Sequence, residues 1–199
     1  MARPTDPNRP EFELKILRRA AKVFSEKGYR ETTIEDIARN VRLKKTSIYH
    51  YFRSKENILF RAISLNLESS LEPLVAVMQE DVPAPAKLKR AIACQVQAFL
   101  DAPYFALLFV TDRKFLSRKH LEICLQLRDR HENIFREIVD DGIRDGSFRK
   151  TDHAVAVKII FGVLNWLPVW WRPSGRYGKE EIIAQINEAL VERMLWPDR

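Results

Sequence analysis

The chain has 199 residues, of which 46% are hydrophobic and 31% charged, with a formal net charge of +7. That is enough length and apolar content to bury a substantial core, and the ordinary globular balance excludes a disordered chain. With only 6 glycines the composition suits helices better than sheets; the 2 cysteines, Cys94 and Cys124, are too few for a disulfide framework and read as buried thiols. No run of residues is expected to span a membrane and MARPTDPNRP lacks the apolar core of a secretion signal, so a cytoplasmic protein is expected.

The charge is unevenly placed. Residues 1–55 hold 14 Lys+Arg against 7 Asp+Glu, while the remainder is balanced at 20 against 20. A basic head on a neutral body points to nucleic acid, because cations that neutralise phosphates release counterions.

Residues 1–10, with their prolines, Arg3 and Arg9, read as a mobile basic arm that can touch DNA. Leu14, Leu17, Ala21 and Phe24 give residues 11–27 one apolar face, and Gly28 stops that helix. Thr33 and Asp36 form a capping box before Ile34, Ile37, Ala38 and Val41. After a turn at Arg42 and Leu43, a helix over residues 44–51 buries Ile48, with Phe52 beyond it. Lys45, Thr46, Ser47, Tyr49 and His50 project outward. The second helix of such a pair enters the major groove, while flanking groups hold phosphate.

Ala21 and Phe24 before Gly28, then Thr33, Ile37-Ala38, Leu43, Ile48-Tyr49, Tyr51-Phe52 and Lys55, make a spaced pattern that resembles the DNA-binding domain of the TetR family of transcriptional repressors. The resemblance implies that Thr33, Tyr49 and Lys55 contact phosphate and that Lys45, Thr46, Ser47 and His50 face the bases. Tyr51 and Phe52 either join them or pack in the core. Two residues depart from the family pattern. Arg42 stands where the family usually has Gly, which strains the backbone if positive φ is needed. Lys44 stands where it usually has a capping Ser or Thr, a loss of about 1 kcal/mol. Both add positive charge beside the DNA, an exchange of stability for phosphate attraction.

Ser54 caps a helix from Lys55 through Leu65 that links head to body, and Pro73 should end or kink it. DVPAPAK marks the next break, before a helix carrying Leu88, Ile92, Val96, Phe99 and Leu100. Residues 104–110, YFALLFV, are apolar all round and read as a core helix or a pocket wall. Ser117 caps a long helix ending at Gly142–Gly146, on which His120 and Cys124 lie at i, i+4 with no third metal ligand nearby in sequence. A Trp-rich helix interrupted by Pro168 follows from Thr151 or Asp152, and a last amphipathic helix runs from Lys179 to Met194. Two apolar C-terminal helices can form a four-helix bundle with a second copy.

Asn165, Trp166, Trp170 or Trp171, Arg172-Pro173 and the Gly-containing turn before the final helix resemble the TetR-type repressors of fatty-acid and sterol catabolism, whose bodies recognise acyl-CoA thioesters. The resemblance implies an apolar tunnel from Phe105, Phe109 and Phe161, with Arg113, Lys114, Arg118 and Arg172 as candidates for the nucleotide phosphates. The alternative is that the tryptophans fill the dimer core and Arg172 pairs with a surface acid.

No HExxH, GxGxxG, P-loop or GxSxG with triad partners is present, and His120, His131 and His153 are expected on different helices, so an enzyme is disfavoured. An architectural DNA-binding protein is the other rival. The expectation is an all-α protein with an N-terminal three-helix helix-turn-helix head over residues 11–55 and a ligand-binding and dimerisation body over 56–199. It would bind a double-stranded operator as a homodimer, use no cofactor or metal, and answer to an acyl-CoA or another small hydrophobic effector.

Overall fold

The computed structural model describes residues 9–172 and 174–197. The described residues form helices α1 (Arg9–Lys27), α2 (Ile34–Val41), α3 (Lys45–Tyr49), α4 (Lys55–Met78), α5 (Ala84–Asp101), α6 (Pro103–Asp112), α7 (Arg118–Asp145), α8 (His153–Trp170) and α9 (Lys179–Asn187). A π-helical segment, Glu188–Met194, continues α9 to the expected end. The fold class is all-α, as expected. Most of the basic arm lies outside the described residues, but Arg9 and Pro10 already belong to α1.

Local chemistry places the helix ends. Thr33 Oγ1 accepts from Asp36 N, and the Asp36 carboxylate accepts in return from Thr33 N, closing the capping box of α2. Ser54, Ser117 and Asp152 cap α4, α7 and α8 by accepting from Asn57 N, His120 N and both Ala154 N and Val155 N. Gly28 and Gly146 close α1 and α7 with φ of 86° and 79°, a region glycine reaches without a Cβ clash.

Two proline expectations are corrected. Pro73 does not end α4, which runs on to Met78; Ser69 and Pro73 are both exposed, so the carbonyl that loses its N–H partner faces solvent. Pro168 likewise sits inside α8, one turn from its end, where few backbone bonds remain to lose. The expectation that no stretch approaches a membrane span is also corrected: α8 has 18 residues and a mean hydropathy of 1.4, within the range of a spanning helix. Its inward residues Val157, Ile160, Leu164 and Leu167 are packed in the body, while Val155, Ile159, Val163, Trp166 and Trp170 form an outward apolar stripe.

The interior divides into two clusters. The body core gathers α5, α7, α8 and α9 around Leu88, Ile92, Phe135, Ile160 and Val191. The head core gathers Ile16, Phe24, Ile37 and Ile48 with Ile58, Leu59 and Ile63 of α4. It does not stop at residue 55: α6 contributes Phe105, Leu108 and Phe109, and α7 contributes Cys124. Helix α6 is therefore packed against α1 and α4 on one side and α8 on the other.

Candidate nucleic-acid interface and interior pocket

The α2–α3 pair presents a polar and basic surface. Thr33, Arg42, Lys44, Lys45, Thr46, Tyr49 and His50 are exposed, Ser47 and Tyr51 are half-buried, and Ile48 and Phe52 are buried. Tyr49 is 49% exposed, a large aromatic surface open to solvent. Helix α3 is shorter than expected, and His50 and Tyr51 lie in the turn that follows it.

Both departures at the turn have the anticipated geometry. Arg42 has φ 59° and ψ 41°, the left-handed conformation that glycine adopts more readily. Lys44 is the N-cap of α3 and its side chain makes no capping bond.

Ion pairs tie the head together. Asp36 Oδ2 accepts from Lys27 Nζ at 2.6 Å, from Thr33 N at 2.9 Å and from Thr33 Oγ1 at 2.8 Å; these bonds, Lys27 first, hold its carboxyl well below the usual carboxylate range. Lys45 Nζ pairs with Glu35 across the α2–α3 turn at 2.5 Å, which raises the lysine pKa and lowers that of the glutamate. Glu35 takes one of the three ammonium protons, and the rest of the half-exposed Lys45 side chain is open to a base or phosphate.

The Lys55 ammonium donates to the carbonyls of Tyr29, Arg30 and Thr32 at 2.8, 3.1 and 2.7 Å, and partial burial lowers its pKa. All three ammonium protons are occupied by the α1–α2 loop, so the side chain ties that loop to the start of α4. Arg9, assigned by sequence to a mobile arm, takes up part of the surface instead. It donates to His50 O at 3.2 Å and to Glu13 at 2.9 Å, and lies over the Tyr51 ring, which also faces Phe12.

Within the body, a cavity of about 30 Å³ is enclosed by α4, α5, α6, α7 and α8. Of the proposed ligand residues the structure brings together Phe109, Phe161 and Asn165 there, with Phe99 and Leu67 completing the apolar wall. The others lie elsewhere. Phe105 faces an outer cleft beside α1. Arg113 caps the end of α6, donating to Phe109 O at 3.2 Å from a position over the Phe109 ring. Trp166 and Arg172 line a second outer cleft between the end of α1 and α6, and Trp170 is 51% exposed on the surface.

Among the described residues Arg172 pairs with no acid. It donates to Val169 O at 3.0 Å and to Trp171 O at 2.8 Å, the free carbonyls at the end of α8. Trp171 is the tryptophan of the body core, its Nε1 donating to Tyr177 O at 3.1 Å. Pro173 lies outside the described residues.

The cavity also holds polar side chains that sequence reasoning missed: Asn66, Gln95, Arg128 and His131. His120 and His131 share α7 rather than lying on separate helices. His120 Nδ1 donates to Glu56 Oε1 at 2.7 Å, whereas Cys124 is a buried thiol whose pKa burial pushes up to about 11.

The head geometry and the helical body meet in one comparison. Residues 16–62 match the family model "Bacterial regulatory proteins, tetR family", and residues 81–194 match "Tetracyclin repressor-like, C-terminal domain". The chain belongs to the TetR family of transcriptional repressors. Among curated relatives, this TetR-family protein is 24% identical over 184 residues to the HTH-type transcriptional repressor KstR2 of Rhodococcus jostii (strain RHA1), covering 89% of this chain and 88% of that one. It is 28% identical over 188 residues to the fatty acid metabolism regulator protein of Bacillus subtilis (strain 168), covering 92% and 93%. Among solved structures, AibR in complex with isovaleryl coenzyme A and operator DNA superposes with a TM-score of 0.82 at 19% identity, over 90% of this chain and 97% of that one. The fold is thus that of a DNA-binding regulator with a helix-turn-helix head.

Proposed function

We propose that this protein represses transcription as a homodimer on a pseudo-palindromic operator and is released when a small, largely apolar effector, an acyl-CoA thioester, enters the body. One observation carries the coupling: Phe109 belongs to the head core and also lines the interior cavity. A cavity of about 30 Å³ has room for a single water, so any effector must push its walls apart, and α6 with Phe109 is the wall shared with the head. Because α6 is packed on α1 and α4, that displacement reaches the head. A 10-fold loss of operator affinity needs about 1.4 kcal/mol of such coupling.

The thioester class is supported by the fatty acid metabolism regulator among the relatives and by the coenzyme A complex among the structural neighbours. The apolar stripe of α8 supports the dimer, since a contiguous apolar face on a soluble regulator needs a cover. Arg113 and Arg172 are engaged with carbonyls, which leaves Lys114 and Arg118, both exposed, as the better phosphate candidates of the original set.

The test is binding of the purified dimer to a labelled duplex from upstream of its own gene, at fixed salt. Release by long-chain acyl-CoA, but not by free fatty acid or by CoA alone, is the expected result. Tight, specific binding indifferent to acyl-CoA would discard the effector, and a specificity ratio near one against random DNA would discard the repressor.

A further inference from the structure

The polar lining of the interior cavity does not suit a plain hydrocarbon. Gln95 is 3% exposed in the middle of α5, and its Oε1 is buried without a hydrogen-bond partner. Its polar neighbours are engaged with one another. Ser70 Oγ sits 2.8 Å from Asn66 O and 3.0 Å from His131 Nε2, and His131 Nδ1 lies 2.9 Å from Leu127 O. The Leu127 carbonyl can only accept, so Nδ1 carries the proton and Nε2 is an acceptor, sharing the one Ser70 hydroxyl proton with Asn66 O. Burial lowers the His131 pKa and keeps the ring in that neutral form. Arg128 is bound to Glu132, which Lys158 also holds.

Gln95 therefore brings an unpartnered, buried acceptor to the wall of a cavity whose other unassigned polar points are the amides of Asn66 and Asn165. A saturated acyl chain in this space would leave Oε1 unmatched, and so would a carbonyl or carboxylate, which can accept from the amide nitrogens but cannot donate. A cationic donor would meet the Arg128 guanidinium that lines the same space. A neutral hydroxyl fits: it donates to Gln95 and can accept from an asparagine amide.

We infer that the cavity selects effectors bearing a hydroxyl group on the portion buried beside Gln95, and rejects the saturated counterpart. The inference rests on the effector reading above and narrows it from an acyl chain to a hydroxylated one, borne either on an open chain or on an alicyclic ring.

Matched pairs test it on the intact dimer by calorimetry: decanoyl-CoA against 10-hydroxydecanoyl-CoA for the chain, and 4-cyclohexylbutanoyl-CoA against its ring-hydroxylated analogue for the alicycle. The hydroxylated member of at least one pair should bind about 10-fold more tightly, equivalent to about 1.4 kcal/mol, and Gln95→Leu should abolish that preference. Which pair shows it identifies the carrier. Without ligand, Gln95→Leu should raise Tm by roughly 2–4 °C, because it removes an unmatched acceptor from the interior. Equal binding, preference for the saturated member, binding of neither, a preference that survives Gln95→Leu, or a lowered Tm in that variant would each overturn the inference. A hydroxylated ligand that binds through Gln95 yet leaves the operator complex intact sinks the release mechanism alone; release by the saturated thioesters, with no hydroxyl preference, sinks this inference alone.

Discussion

Arg42 combines a strained backbone with an exposed cation on the helix-turn-helix surface. A side chain held at φ 59° costs about 1 kcal/mol relative to glycine, yet it places an exposed cation beside α3. Arg42→Gly is expected to raise the stability of the head by up to about 1 kcal/mol and to weaken operator binding, with the slope of log affinity against log salt shallower by about one contact. Chemical denaturation and a salt titration of binding check the two halves; unchanged binding removes the exchange. Asp36 sets a pH limit on the same head. Its folded pKa is depressed by Lys27 and Thr33, so its contribution is present above the unfolded carboxylate pKa of about 4 and is lost as pH falls below it. Thermal melts between pH 6 and 2 should show wild type losing stability on that acid limb more steeply than Asp36→Asn; parallel curves would contradict the assignment. Lys55 shows where residue-level reading stops. Lysine and its place in the family pattern were legible, but that its ammonium turns back onto the α1–α2 loop is a tertiary fact.

At the scale of elements, the helices were legible because their ends are written in local chemistry. Thr33, Ser54, Ser117 and Asp152 cap where a short polar side chain precedes an apolar period, and Gly28 and Gly146 close where positive φ is needed. Pro73 was misread because a proline's cost depends on whether its orphaned carbonyl meets solvent, which no local pattern states. The two faces of α8 were not separable by sequence either, since both are apolar. The structure turns Trp171 into the body core and leaves Val155, Ile159, Val163, Trp166 and Trp170 outward. If that stripe is the subunit interface, Ile159→Glu should give a folded monomer by size-exclusion chromatography with light scattering, and operator affinity should fall by 100-fold or more as the two heads uncouple, on the order of 3 kcal/mol. A dimeric Ile159→Glu protein of wild-type affinity would place the interface elsewhere.

For the whole molecule, the division into basic head and neutral body was visible in the charge distribution, but the way the halves are joined was not. The head core is completed by α6 of the body, and one side chain of α6, Phe109, also lines the interior cavity. Buried polar residues of that cavity, Gln95 and His131 among them, escaped sequence reasoning because a polar side chain inside an amphipathic helix has no period of its own. On the proposed reading the shared helix is the link between the halves: a change that enlarges the space around Phe109 and shifts α6 is carried to α1 and α4. Operator affinity of Phe109→Trp in the absence of ligand tests that claim most directly, because the larger ring occupies the space an effector would. A folded, dimeric Phe109→Trp protein is predicted to bind the operator about 10-fold more weakly than wild type at the same salt; the same protein binding with wild-type affinity would show that the cavity and the DNA-binding head are not mechanically linked through α6.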